Sequence, residues 1–219
     1  MNEKILENEK KLKKEIVSIR YWLLGKEFYT ALRAMEFAMR YHTGKRKDGV
    51  TPEFSHQIKI VHYIRTLMPH LIDPETTLVV IFLHDLIEDY GINRDTLRRM
   101  FGEKASHAVW LLSKSFKGGK KELLHYFDEM ADCSVASIGK GGDRIHNNQT
   151  MSGVFTIEKQ MEYIEETEEY IFPMLKKARR KFPEQEGAYE NIKQVLRSQI
   201  ELIKIIHKER ESKCEILTQ

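Results

Sequence analysis

An apolar run that begins at Leu78 carries one imidazole and three carboxylates within six residues, at His84, Asp85, Glu88 and Asp89. A segment this apolar belongs in a protein interior, and ionisable groups there need partners because each desolvated ion costs several kcal/mol. Whatever the chain folds into must bring compensating charge to this segment, and a divalent metal ion is the simplest candidate. The β-branched stretch Thr76–Ile81 would also suit a buried strand. It runs without a turn signal into Leu86 and Ile87, and Pro74-Glu75 makes a good helix start, so a helix over 75–89 is expected.

The same helical periodicity runs through most of the sequence. Helices are expected near 3–20, 26–41, 53–68, 75–89, 94–101, 103–115, 120–131, 134–147, 156–181 and 186–211. The five prolines and twelve glycines fall mostly at the breaks. The expected class is all-α, with a helical extension at 1–20, a domain over 21–185 and a second helical extension at 186–219. The extensions are charged and amphipathic, which suits flanking the core or pairing with another copy in a homo-oligomer. The basic stretches 42–52 and 117–121 read as loops.

Composition narrows the function classes. The hydrophobic fraction is 41% and mean hydropathy is −0.50, as in a globular protein with a sizeable core. There is no run of 18 apolar residues, so no membrane span is expected. The N-terminus lacks the apolar core of a signal peptide, and Cys133 and Cys214 are too few for a disulfide framework; a cytoplasmic location is expected. Net charge is +3, from 36 basic and 33 acidic residues, which gives no argument for nucleic acid as a partner.

On a helix, His84 and Asp85 lie about 100° apart and can reach one ion at the helix edge. Glu88 and Asp89 follow one turn later, placed to orient or deprotonate a water. Further ligands must come from elsewhere. His56 heads a helix with an apolar stripe at Ile58, Ile60, Val61 and Ile64. Asp143 opens a segment in which Asp143, Asn147 and Thr150 share a face. The set His56, His84, Asp85 and Asp143 supplies two nitrogen and two oxygen ligands, which suits Mn, Fe or Zn and hydrolysis. Singly, each has an ordinary reading: a core or capping histidine, a helix N-cap, a chance dipeptide, a solvated acidic pair. The joint occurrence carries the argument.

These residues resemble the HD-domain metal phosphohydrolases, and among them the RelA/SpoT-type hydrolase domain with its small stand-alone members. The resemblance is carried by Arg46-Lys47-Asp48-Gly49 with Pro52 and His56, by Leu83-His84-Asp85-Leu86-Ile87-Glu88-Asp89, by Phe101-Gly102, Val109 and Ser113-Lys114, and by Lys140-Gly141-Gly142-Asp143-Arg144-Ile145-His146-Asn147 with Thr150-Met151. It covers about residues 27–175. It implies an HD-domain helical bundle around a single metal site holding Mn2+, and removal of the 3′-pyrophosphate from guanosine tetra- or pentaphosphate. By carry-over His56, His84, Asp85 and Asp143 are the ligands, and Glu88 and Asp89 handle the water. Arg46, Lys47, Lys114, Lys140, Asn147 and Thr150 contact the nucleotide, with Arg144 a further cation near the site.

Three departures bear on substrate choice. Gly141-Gly142 replace the usual Leu-Ala and are expected to widen the pocket floor, Ser113 replaces Thr, and Gln57 replaces the common Pro. Two other readings keep the site: a phosphatase for another nucleotide, such as the 2′-phosphate of NADPH, and a module that binds nucleotide without turnover.

Overall fold

The apolar run forms α4 (Pro74–Leu83), and every residue from Thr77 to Leu83 is buried. Pro74 sits in its first turn, and the Asp73 carboxylate accepts the Thr76 amide at 3.1 Å as the N-cap. The structure is a computed structural model that describes residues 3–217, with side chains described for 3–209; residues 1, 2, 218 and 219 and the side chains of 210–219, Cys214 included, lie outside the described residues. Around α4 pack α2 (Tyr29–Ala38), α3 (Ser55–Leu67), α7 (Glu103–Leu112) and α9 (Ser134–Met151). The outer elements are α1 (Glu3–Gly25), α6 (Arg94–Phe101), α8 (Leu123–Ala131), α10 (Ile157–Glu166), α11 (Phe172–Lys181) and α12 (Glu186–Leu217). Ile19 and Leu23 of α1, and Ala188, Tyr189, Ile192 and Leu196 of α12, lie in the same hydrophobic cluster as α4. The class is all-α, and among the described residues no helix is long and apolar enough to cross a membrane.

Three expected helices differ in ways that shape the site. The helix expected over 75–89 is interrupted: α4 ends at Leu83, and α5 (Leu86–Tyr90) begins after a two-residue break at His84-Asp85. The His84 ring nitrogen Nδ1 bonds the Ile81 carbonyl at 2.8 Å, using one of the last-turn acceptors that a helix end leaves open. Gly91, at φ +63, closes α5 in the left-handed conformation. Next, the helix expected to 115 stops at Leu112. The basic loop 117–121 belongs to a two-residue-per-strand hairpin, β1 (Ser115–Phe116) and β2 (Gly119–Lys120), turned at Gly118 with φ +118. Finally, the helix expected over 156–181 contains a π-helical segment, Thr167–Ile171, between α10 and α11. Pro173 follows it in the first turn of α11, where the absent N–H forbids a regular helical bond one turn back.

The glycines of α9 correct another expectation. Gly141 and Gly142 do not widen a pocket floor; they let helices approach. A Cβ at Gly141 would stand 2.7 Å from Ile192 Cγ2, and one at Gly142 would stand 3.0 Å from Ile60 Cγ2. Gly141→Ala is expected to destabilise the protein by on the order of 1 kcal/mol, because overpacking against a β-branched side chain outweighs the helix-propensity gain. Denaturant unfolding checks this. Ile192→Ala should cost less in the Gly141→Ala background than alone.

Candidate functional site

Three separated segments bring their polar atoms to one point: the start of α3, the break after α4, and the middle of α9. His56 Nε2 lies 3.3 Å from His84 Nε2 and 3.2 Å from Asp143 Oδ1. His84 Nε2 lies 2.9 Å from Asp85 Oδ2 and 3.9 Å from Asp143 Oδ1. One ligand atom each from His56, His84 and Asp143 falls within 4.8 Å of the others, a group able to hold a metal ion. Ligands bonded to one ion at about 2.1 Å stand roughly 3 Å from each other, so the spacing fits. Asp85 touches this group through His84.

The tautomers fit as well. The Ile81 carbonyl can only accept, so His84 Nδ1 carries the proton and Nε2 can present a bare lone pair. His56 Nδ1 lies 2.7 Å from His146 Nδ1, and donating there leaves His56 Nε2 bare too. Partners of this kind on the far nitrogen fix ring orientation in metal sites. Burial opposes charge on His84, but Asp85 and then Asp143 outweigh it and push the imidazole up to about 9. Burial also opposes charge on Asp143, and Lys140 with His56 and His84 overcomes it and holds the carboxyl well below the usual range. His146 is pushed down to about 3 by burial, His56 and Arg46, so it stays neutral.

Above the cluster opens a polar cavity of about 360 Å³. Its wall includes Arg46, Lys114, Lys140, Arg144, Asn147, Glu88 and Asp89 together with the four candidate ligands. Lys140 bonds Asp143 Oδ2 at 3.2 Å, and Asn147 donates to Asp143 Oδ1 at 2.7 Å. Arg46 reaches Asn147 Oδ1 at 3.3 Å and Thr150 Oγ at 3.4 Å. The Glu88 oxygens each accept one bond from the hairpin region, from the Lys114 amide and the Ser115 hydroxyl, both at 2.9 Å. Asp89 is exposed; partial desolvation and the neighbouring Asp85 and Glu88 charges push its carboxyl up to about 6.

Lys47 and Thr150 line a second cavity of about 440 Å³, which shares Arg46, Asp89, Asn147 and Tyr163 with the first. Lys47 sits 4.7 Å from the centre of the Phe155 ring there. Asn8, Lys11, Leu12 and Glu15 of α1 form one wall of this outer cavity.

Several residues went unread in the sequence. Glu166 pairs with both Lys114 and Arg144 and orients the two cations. Its signal was weak, one acid among many on an acidic helix. His146 sits in the segment read for Asp143, and its position three residues on was the available clue. Tyr163 carries the Arg144 guanidinium 4.4 Å above its ring.

The fold and the clustered histidine and aspartate groups define an all-helical domain with a candidate metal site. No family model matches the chain. A protein of Streptomyces coelicolor named GTP pyrophosphokinase is 30% identical over 149 residues, 65% of this chain and 17% of its own length. A protein of Synechocystis named probable guanosine-3′,5′-bis(diphosphate) 3′-pyrophosphohydrolase is 26% identical over 150 residues, 65% of this chain and 19% of its own length. A probable GTP pyrophosphokinase of Mycobacterium leprae is 29% identical over 161 residues, 68% of this chain and 20% of its own. The chain thus spans about a fifth of the length of the curated relatives it matches. A solved structure described as a metazoan ortholog of SpoT that hydrolyses ppGpp shares the fold, with TM-score 0.57 over 74% of this chain and 93% of its own at 20% identity. Over about two thirds of its length the chain is thus similar to RelA/SpoT-type proteins, and it shares its fold with the metazoan SpoT structure.

Below about pH 9 a proton competes with a cation for His84. Divalent-ion binding near pH 7 is therefore expected to release about one proton and to strengthen up to tenfold per pH unit as pH rises towards 9. Titration calorimetry in buffers of different ionisation heat measures both.

Proposed function

We propose that the protein is a metal-dependent hydrolase that removes the 3′-pyrophosphate from guanosine 3′,5′-bis(diphosphate) or its pentaphosphate homologue, giving GDP or GTP and pyrophosphate. The observation that carries this reading is the convergence of His56, His84, Asp85 and Asp143 from three segments on the floor of a cavity with a cationic rim. The names of the Synechocystis relative and of the metazoan structure support the same chemistry. The proposed ion is Mn2+, which mixed imidazole and carboxylate donors suit. When bound it would polarise the attacked phosphoryl group and acidify a water.

The chain's own residues do the rest. Both Glu88 oxygens are engaged by the Lys114 amide and the Ser115 hydroxyl, so Glu88 holds the hairpin wall in place. Asp89, which faces both cavities, is left to accept the proton of the attacking water. Lys140, Lys114 and Arg144 draw the phosphates toward the floor. Five cationic side chains and six carboxylates line the inner cavity, so a divalent ion leaves it one positive charge in excess. Arg46, fixed by Asn147 and Thr150 where the cavities meet, would orient the nucleotide, with its nucleoside in the outer cavity beside Lys47 and Phe155.

Incubation with the guanosine tetraphosphate and Mn2+ is expected to release pyrophosphate, and Asp143→Ala to abolish the release. Orthophosphate as sole product, or activity that survives Asp143→Ala, would sink the reading. Asp89→Asn should lower kcat at least about 100-fold with little change in KM. A base must be ionised to act, and a nearby cation lowers its proton affinity. The acid limb of kcat/KM should therefore lie no higher than about pH 6 and vanish in Asp89→Asn.

A further inference from the structure

Gln57 is a buried carboxamide immediately after His56, where the resembled family commonly has Pro. A buried amide is costly unless bonded, and this one is bonded on its nitrogen side alone. Its Nε2 lies 3.3 Å from Asp85 Oδ2 and 3.3 Å from His42 Nε2, while Oε1 has no partner. Both facing atoms accept, so turning the amide over would set its oxygen against a carboxylate; the orientation is locked. His42, itself buried, must then keep Nε2 bare and its proton on Nδ1, which faces Glu53 Oε1 at 3.6 Å. Glu53 in turn accepts the Gly44 amide at 3.2 Å. His42 and Gln57 thus form a buried polar link to Asp85, with Glu53 beside His42 at 3.6 Å, beyond hydrogen-bond reach.

We propose that Gln57 is a positioning residue for Asp85: its carboxamide, held by His42, fixes the orientation of the carboxylate oxygen that faces His84, so that Asp85 would be ready to serve a divalent ion. This rests on the metal-site reading above. Asp85 lies in the turn between α4 and α5, and Oδ2 is the same oxygen that approaches His84 at 2.9 Å. A Pro at position 57 could supply no such donor.

The test measures Mn2+ affinity by competition with a chelator, on the whole protein and without substrate. Gln57→Met keeps the length and removes the donors. It should bind Mn2+ at least about 10-fold more weakly than the parent, the usual scale for losing a group that orients a ligand. Its metal-free unfolding temperature should stay near the parent's, and the rise on adding Mn2+ should shrink. Activity should recover toward the parent's at saturating Mn2+. Parent-like or tighter binding by Gln57→Met overturns the proposal. Failure of the parent itself to bind Mn2+ overturns the metal reading, and this one with it. Should Gln57→Met not fold, His42→Phe frees the amide to rotate and should weaken Mn2+ binding in the same direction, whereas unchanged binding overturns the proposal.

Discussion

Two imidazole nitrogens face each other 3.3 Å apart in a buried space, each with its other nitrogen already bonded. This arrangement is repulsive unless something positive stands between or beside the lone pairs. Asp143 and Asp85 add negative charge to the same point. A proton can relieve the conflict, which is why the carboxylates push His84 up to about 9, but a single proton cannot satisfy four converging donors. A divalent cation can. α3, the break after α4, and α9 each deliver one part of this cluster.

The cations around the cluster are held as firmly as the ligands. Lys140 is tied to Asp143, and Glu166 holds Lys114 and Arg144 together. Each pair keeps a long side chain in one orientation, so little rotamer freedom remains to be lost when a polyanion enters. Glu166 is the last residue of α10, directly before the π-helical segment. The irregular turn that precedes Pro173 lies beside the carboxylate that pairs with Lys114 and Arg144. Such irregular turns recur at functional sites.

The helix order and most boundaries were legible because the apolar stripes are regular and the glycines and prolines sit between them. The set His56, His84, Asp85 and Asp143 was read from the charge anomaly that follows Leu83 and its missing partners, and the structure brings those residues together. The break at His84-Asp85 was not, since periodicity continues unbroken through Leu86 and Ile87. At the end of α4 the His84 side chain bonds the Ile81 carbonyl, which no pattern of apolar residues reports. Glu166 and the α1 wall of the outer cavity were hidden for another reason. Each acts across a long sequence separation, and an acid on an acidic helix or a lysine on a charged helix looks the same whether or not it faces a site.

The glycines of α9 join packing to chemistry. A Cβ would meet Leu112 of α7 at Gly139, Ile192 of α12 at Gly141, and Ile60 and Ile64 of α3 at Gly142. Neighbouring helices therefore approach α9 within four residues of Asp143, and on different sides. A helix clamped in three directions can neither slide nor rotate without a clash, because close-packed interiors transmit small displacements. The contact of Gly142 with α3 matters most, since His56 stands on α3, 3.2 Å from Asp143. Larger residues at 141 and 142 would move α9 outward from α3 and α12 and stretch that separation. Here the missing side chains set the distance between two candidate ligands, and a pair of residues that read as a loosened pocket floor instead tightens the site.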